Sequence, residues 1–166
     1  MGTLAKLSVK KIDENSFCGE VPSQMSSLFV GGKSDFEFYY SNSGLGTPCA
    51  GSPTMAPTRS FAPTAAFTGN ATQNSALSAL YVATGGSSWS DKSGWMTGDP
   101  CTASWSDVYC DAGRVTKLSL DDNQVSGSLP TQFGLLTDLT LLSMQSNQLS
   151  SALPTEIGAL SRLETM

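Results

Sequence analysis

Residues 118–130 read LSLDDNQVSGSLP, and residues 142–154 read LSMQSNQLSSALP. The two stretches share one pattern, in which apolar residues, an asparagine and a proline recur at the constant offset that separates Asn123 from Asn147. The matched pairs are Leu118 with Leu142, Leu120 with Met144, Asn123 with Asn147, Val125 with Leu149, Leu129 with Leu153, Pro130 with Pro154, Gly134 with Gly158, Leu136 with Leu160 and Leu139 with Leu163. A fixed period of this length is typical of repeat proteins whose units stack into a solenoid.

Each repeat is predicted to form one coil of such a solenoid. Leu118 and Leu120 alternate, so both side chains point to one face of a short strand. Asn123 follows where the strand must turn, and its carboxamide can pair with backbone groups that the turn would otherwise bury unpaired. Val125 and Leu129 return to the same interior. One coil cannot bury its apolar edge alone, so we expect about three or more coils to stack.

The pattern resembles that of the plant-type leucine-rich repeat family, LxxLxLxxNxLxGxLPxxLgxL. Ser151 departs from it, because it stands where Gly127 matches the family's glycine. The resemblance implies an α/β solenoid with short parallel strands on a concave face and irregular or 3-10 turns on the convex side. Met166 aligns with Leu142 in mid-strand, which predicts that residues 115–166 are the first coils of an array and that the chain is a fragment.

The template also fits the N-terminal segment when it is shifted by the offset between Asn15 and Asn147. Gly19 then takes the position of Ser151 and restores the glycine. The sequence therefore predicts a structural ladder of asparagines made of Asn15, Asn123 and Asn147.

Beyond this coil the pattern decays into aromatic and turn residues. The alternating aromatics of residues 36–40 indicate a strand with one covered face. We interpret residues 1–50 as the last coil and C-terminal cap of a first repeat array. A disulfide between Cys18 and Cys49 fits this interpretation, and two free thiols are the alternative.

A linker is predicted over residues 51–69, where Pro-Thr recurs at 53–54, 57–58 and 63–64. Prolines at this density favour extended polyproline geometry. The segment is either an O-glycosylated spacer or a plain linker. Asn70 opens an Asn-Ala-Thr sequon, which is a glycosylation site if the chain is secreted.

Residues 70–114 begin with a predicted helix that starts at Ser75 and ends at Gly85 and Gly86. Three tryptophans and two cysteines follow it, namely Trp89, Trp95, Cys101, Trp105 and Cys110. This string resembles the N-terminal cap of plant-type leucine-rich repeat proteins, which runs helix, ATGG-like turn, W, GW, DPC, WxGV and C. Asp107 stands in place of the WxGV glycine.

The cap resemblance implies a disulfide between Cys101 and Cys110. The resemblance also helps to interpret the tryptophans, which have two possible roles. They form a ligand cage or sugar platform, or else they cover the apolar edge of the first coil. We favour the second interpretation, because caps of solenoids must cover that edge.

Composition excludes several functions. The net charge is −5 and no basic cluster occurs, which disfavours nucleic acid and anionic membrane surfaces as partners. No apolar run approaches the ~18 residues of a membrane helix. Histidine is absent, so we predict no enzymatic activity, no metal site and no cofactor. The adjacent carboxylates Asp121 and Asp122 point to opposite faces of a strand, and we interpret them as a solvated edge.

A candidate binding face follows from the outward positions of the two repeat strands. Its residues are Lys117, Ser119, Asp121, Leu141, Ser143 and Gln145. We expect a protein, peptide or glycan to bind there, in an extracellular or cell-surface protein, since four cysteines in end caps indicate an oxidising compartment. The alternatives are a structural or adhesive matrix protein, and the ectodomain of a receptor-like kinase whose catalytic domain lies elsewhere.

Overall fold

The computed structural model describes residues 14–19 and 69–164. Its strands, in chain order, are β1 (Ser16–Phe17), β2 (Val108–Asp111), β3 (Arg114–Ser119), β4 (Ser126–Gly127), β5 (Leu141–Ser143) and β6 (Gln148–Ser151). Helix α1 spans Gly69–Ala83, and 3-10 turns span Gly86–Ser88, Thr131–Leu135 and Thr155–Ala159. The parallel strands, the short helix and the 3-10 turns fit an α/β repeat fold.

The first sheet has the strand order β2-β3-β5. Strands β3 and β5 are parallel, and Lys117 pairs with Leu141 while Ser119 pairs with Ser143. The paired residues are one repeat apart in the sequence. The length of the repeat therefore sets the register in which β3 and β5 pair. Strand β2 is antiparallel to β3 and is joined to it by a two-residue turn at Ala112 and Gly113, where both φ angles are positive.

The second sheet has the order β1-β6-β4 and is parallel throughout. Between the two sheets each repeat passes through a 3-10 turn that follows a proline. Pro130 and Pro154 have φ angles of −78° and −64°, values that the proline ring favours. The turns bury Phe133 and Ile157 at equivalent positions.

The apolar residues of the repeat pattern form one core with the tryptophans. Leu118, Leu120, Val125, Leu142 and Leu149 are fully buried. Burial of each such side chain contributes about 1.5–3 kcal/mol, so the repeat pattern accounts for much of the folding free energy.

The predicted helix start at Ser75 is wrong, because α1 already begins at Gly69. Contacts distant in sequence hold these first turns. The Gln73 side-chain oxygen accepts a hydrogen bond from the Val115 N–H, and Asn74 donates to the Gly98 carbonyl at 2.9 Å. The predicted end is confirmed, since α1 stops at Ala83 and Gly85 has a φ of 68°.

Several predictions fall outside the described residues, namely the C-terminal cap, Cys49 and residues 51–68 of the linker predicted over 51–69. The last residue of that linker, Gly69, is the first residue of α1. Within residues 14–19 and 69–164, no helix combines the length and the apolar character needed to cross a membrane.

Candidate binding face

A row of three outward-facing residues crosses the first sheet. Tyr109 is paired with Lys117, which is paired with Leu141. Residues directly opposite each other on paired strands lie on the same face. Tyr109 is 55% exposed, Lys117 is exposed and Leu141 is half-buried.

Sequence reasoning placed Lys117 and Leu141 on this face but missed Tyr109. The signal was present, because Val108, Tyr109 and Cys110 alternate ahead of a two-residue turn that contains Gly113. This pattern predicts a hairpin that returns the tyrosine beside Lys117.

A second row lies beside the first, where Ser119 pairs with Ser143 and donates its N–H to the Asp107 carbonyl at 3.1 Å. Ser143 is fully buried. Its hydroxyl donates to both carboxylate oxygens of Asp121, at 2.5 and 2.6 Å. Gln145 donates its N–H to the same carboxylate at 2.9 Å. Ser143 and Asp121 therefore join the two repeats, and a ligand cannot reach the serine unless Asp121 moves.

The two ends of the face differ in charge. Lys117 lies at one end, and Asp107 and Asp121 lie towards the other. Partial burial raises the pKa of Asp107, and the nearby charges of Asp91 and Asp121 raise it further. The hydroxyl of Ser106, which donates to Asp91 at 2.6 Å, lowers the pKa of Asp91. Among the described residues, no group of three or more acidic or cysteine side chains could hold a metal ion.

The three asparagines of the predicted ladder make equivalent hydrogen bonds to the backbone of neighbouring segments. Asn123 accepts the N–H of Asp91 at 2.7 Å and donates to the Asp91 carbonyl at 2.9 Å. The Asn147 oxygen accepts from the N–H of Asn123 and of Val125, and its nitrogen donates to the Leu120 carbonyl at 2.7 Å. The Asn15 oxygen accepts a hydrogen bond from the N–H of Leu149, and its nitrogen donates to the Met144 carbonyl, both at 2.9 Å. These side chains hold backbone together and are not available to a ligand.

The tryptophans are buried, with exposed fractions of 5% or less. Their indole N–H groups donate to backbone carbonyls of Thr84, Ser106 and Thr97. Their rings pack on one another, with centroids 4.7 Å apart for Trp89 and Trp95 and 5.0 Å apart for Trp95 and Trp105. The interpretation of these residues as core is confirmed, and they do not form an open ligand cage.

A disulfide joins Cys101 and Cys110. Cys18 is also disulfide-bonded, while its predicted partner, Cys49, lies outside the described residues. Asn70 lies in the first turn of α1, and its glycosylation stays a prediction.

Comparison with known proteins identifies one repeat of a known type. The family model described as Leucine Rich Repeat matches residues 114–136. Among solved structures, the chain is similar to a leucine-rich repeat protein from Bacteroides eggerthii, with 24% sequence identity and a TM-score of 0.43. That alignment covers 55% of this chain and 15% of the bacterial protein, so the chain spans a small part of its length. No curated protein matches the sequence.

The chain therefore contains a leucine-rich repeat. Repeats of this kind are typical of protein–protein interaction modules and are generally not enzymatic.

Proposed function

We propose that this chain recognises a protein, peptide or glycan through the face that β2, β3 and β5 form, and that it has no catalytic activity of its own. In this proposal the repeats are coils of a plant-type leucine-rich repeat solenoid, and residues 70–114 are its N-terminal cap. The observation that carries the proposal is the row of Tyr109, Lys117 and Leu141 across three paired strands.

The row has the chemistry of a recognition site. An exposed tyrosine offers a large apolar ring with a polar tip, and aromatic residues are over-represented among the residues that dominate binding energy. Leu141 adds an apolar contact and Lys117 adds a cation. The strands beneath are held in register by the Asp121–Ser143 hydrogen bonds, so little order has to be gained on binding.

The charge distribution of this face restricts the chemical class of partner that it fits. Lys117 precedes Ser119 in β3 and Asp121 follows it, and Asp107 is near enough to Asp121 for the two charges to interact. A matching ligand presents an apolar or aromatic group to Tyr109 and Leu141, and a basic group towards Asp107. The chain's net charge of −5 favours the same choice, since it attracts cationic partners over a Debye length of about 8 Å.

An extracellular or cell-surface location belongs to the same proposal. It is supported by the Cys101–Cys110 disulfide, because disulfides persist in oxidising compartments. The sequon at Asn70 adds support. The Pro-Thr units between residues 53 and 64 favour one second candidate, a secreted adhesive protein whose arrays are separated by stiff spacers. The division into 1–50, 51–69, 70–114 and 115–166 remains part of this proposal.

The test compares full chains as bait for proteins of a secreted fraction. Wild type is compared with Tyr109→Ala and Ser119→Arg, and Ser128→Arg serves as the matched control because Ser128 is an exposed serine outside the face. We expect a specific partner to be lost by both face variants and kept by Ser128→Arg. Equal capture by all four proteins would exclude this face as the binding site.

A further inference from the structure

Strand β2 forms one edge of the first sheet. The strand order is β2-β3-β5, so β2 pairs with β3 on one side. Within residues 14–19 and 69–164, no strand pairs with its other side. This edge lies on the opposite side of the sheet from β5, and the segment before β2 and the turn after it are both described. Backbone groups along such an edge can pair with another extended segment.

Hydrogen bonds of the hairpin show which backbone groups of β2 face β3. The Asp107 carbonyl accepts the Ser119 N–H at 3.1 Å, and the Tyr109 carbonyl accepts the Thr116 hydroxyl at 3.4 Å. Residues two apart in an antiparallel strand turn their backbone groups to the same side, so Asp111 belongs to this set. The backbone groups of the residues between them therefore point to the open edge.

These intervening residues are Val108 and Cys110. The Val108 N–H is already bonded to the Trp105 carbonyl at 3.2 Å. The groups that remain for a partner strand are the N–H and C=O of Cys110 and the C=O of Val108. The side chains of both residues pack against the core, so the edge presents backbone at these positions.

The exposed side chains of this hairpin strand give the edge a chemical preference. Tyr109 is in the middle and is 55% exposed. Asp107 immediately precedes the strand, and the exposed Asp111 ends it. Burial, followed by the charges of Asp91 and Asp121, raises the pKa of Asp107. A cation bound beside Asp107 would relieve the repulsion between these carboxylates.

Asp111 carries an unbalanced charge. Arg114 faces it across the turn, but its guanidinium binds Asp138 at 2.7 Å. Among the described residues, Asp111 takes part in no ion pair. A second copy of the chain is a poor partner for this edge, because pairing would bring acidic strands together in chains of net charge −5. A basic segment has the complementary charge.

We propose that the open edge of β2 binds an extended basic segment of a partner protein as an additional antiparallel strand. Asp107 and Asp111 are four residues apart, which is about 13 Å along an extended chain. The matching segment therefore carries Lys or Arg at two positions four residues apart, with a β-branched residue between them to pack on Tyr109. Backbone pairing with Val108 and Cys110 holds the segment in register. This inference deepens the proposed function and rests on it, because Tyr109 contributes to both.

The test titrates the isotope-labelled full chain with the acetylated and amidated peptide KTVTK in low salt, followed by NMR. In the proposed register the valine lies opposite Tyr109, and the two threonines lie opposite Val108 and Cys110. We expect a Kd on the order of 1 mM, because a short peptide forms about three backbone hydrogen bonds here. Chemical shifts should change at the amides of Tyr109 and Cys110. The acidic peptide ETVTE should not bind.

N-Methylation of the peptide separates strand pairing from charge attraction. The threonine N–H groups face β2, whereas those of the valine and the C-terminal lysine face away from it. Methylation of both threonine nitrogens should weaken binding about tenfold or more. Methylation of the valine and C-terminal lysine nitrogens adds the same number of methyl groups and should leave the affinity within about twofold.

A charge reversal in the protein tests the selection of a basic partner. Asp111→Lys should weaken binding of KTVTK about fivefold or more, because it replaces attraction by repulsion. Glu156→Lys is the matched control, since Glu156 is an exposed acidic residue in the 3-10 turn Thr155–Ala159. This control should bind KTVTK as the wild type does.

Equal weakening by the two methylation patterns, or unchanged binding by Asp111→Lys, would overturn the proposal. Shift changes at Leu141–Ser143 with none at Cys110 would overturn edge binding and would support the candidate binding face instead. A chain that captures a secreted partner through Tyr109 but does not bind KTVTK would overturn the edge proposal and leave the proposed function intact. Loss of both kinds of binding would overturn both.

Discussion

The side-chain oxygen of Asn147 accepts a hydrogen bond from the backbone N–H of Asn123, which occupies the same position one repeat earlier, at 3.1 Å. It accepts a second from Val125 at 2.9 Å. The Asn147 nitrogen donates to the carbonyls of Leu120 and Met144. One carboxamide that is 8% exposed therefore satisfies backbone groups on two repeats, and it does so where the strand has ended and the chain turns.

Replacement of Asn147 should destabilise the fold strongly. Asn147→Ala leaves two buried N–H groups and three carbonyls, those of Leu120, Met144 and Gln145, without this partner. Each unsatisfied buried group costs about 1–3 kcal/mol. Allowing for water entry, we expect a loss of about 3 kcal/mol in the free energy of unfolding, measured by urea denaturation with circular dichroism. Gln148→Ala is the control, because its side chain is exposed. A loss below about 1 kcal/mol would show that the ladder contributes little.

The glycine position of each repeat gives a second prediction. Gly127 and Gly19 have φ angles of 88° and 84°, and Ser151, at the same position, has 75°. A side chain in this region costs about 1–2 kcal/mol, and the greater unfolded-state entropy of glycine offsets part of that. We therefore expect Ser151→Gly to raise the free energy of unfolding by about 0.5–1 kcal/mol.

The reverse change supplies the comparison. A Cβ on Gly127 would lie 2.7 Å from the Ala83 carbonyl oxygen, so Gly127→Ser combines backbone strain with a steric clash. We expect it to cost about 2–3 kcal/mol in the same denaturation assay. If Ser151→Gly destabilised the protein instead, the entropy of glycine would outweigh the strain at this position.

The repeat pattern predicted the sheet register because stacking is periodic. The offset between Leu118 and Leu142 in the sequence is the offset between paired residues of β3 and β5. Burial of the repeat leucines and of the tryptophans could be predicted for the same reason, since their apolar surface has to be covered. The sequence alone thus specified most of the repeat geometry.

What escaped prediction depends on contacts between distant residues. Tyr109 joins the candidate binding face only because the hairpin returns β2 beside Lys117. Ser143 points outward by alternation, yet the Asp121 carboxylate of the preceding repeat covers it. The first turns of α1 depend on a hydrogen bond between Gln73 and Val115, 42 residues apart. The hairpin that places Tyr109 had a local sequence signal, but no local pattern contains the contacts of Ser143 and Gln73.

A charge ladder on the repeats gives a third prediction. Asp138 lies between Arg114, one repeat before it, and Arg162, one repeat after it, and each arginine is 2.7 Å from a carboxylate oxygen. The arginines are more than half exposed, so each pair contributes at most about 1 kcal/mol. We expect Asp138→Asn to lower the free energy of unfolding by about 1 kcal/mol in low salt. The loss should shrink by about half at ~0.5 M NaCl, because salt screens exposed charges.

Asp122→Asn is the control for Asp138, because it removes the same charge at an exposed position. Denaturation of both variants at the two salt concentrations separates the contribution of the Asp138 ion pairs from the effect of the change in net charge. A loss for Asp138→Asn that is independent of salt would assign its role to packing or neutral hydrogen bonding.

The raised pKa of Asp107 gives a prediction about pH. Burial, followed by the charges of Asp91 and Asp121, raises the folded-state pKa above the ordinary value of 3.8. The folded protein therefore binds this proton more tightly than the unfolded chain does, so the ionised carboxylate reduces stability above the folded-state pKa. That penalty disappears as the pH falls below 3.8. Asp107→Asn should remove it, and asparagine tolerates the φ of 63° at this position.

We expect Asp107→Asn to stabilise the protein at pH 7 by a few tenths of a kcal/mol, a small gain because solvent screens the carboxylate. At about pH 3 the gain should vanish, because Asp107 is then protonated in both states. The contribution of Asp91 to stability depends on pH in the opposite direction. The Ser106 hydroxyl lowers its pKa, so its contribution is present above 3.8 and is lost as the pH falls through its folded-state value. Urea denaturation of wild type and Asp107→Asn at both pH values measures the difference, with the exposed Asp111→Asn as control. An equal gain at pH 7 and pH 3 would assign the effect to the backbone angle, because a charge effect cannot survive protonation.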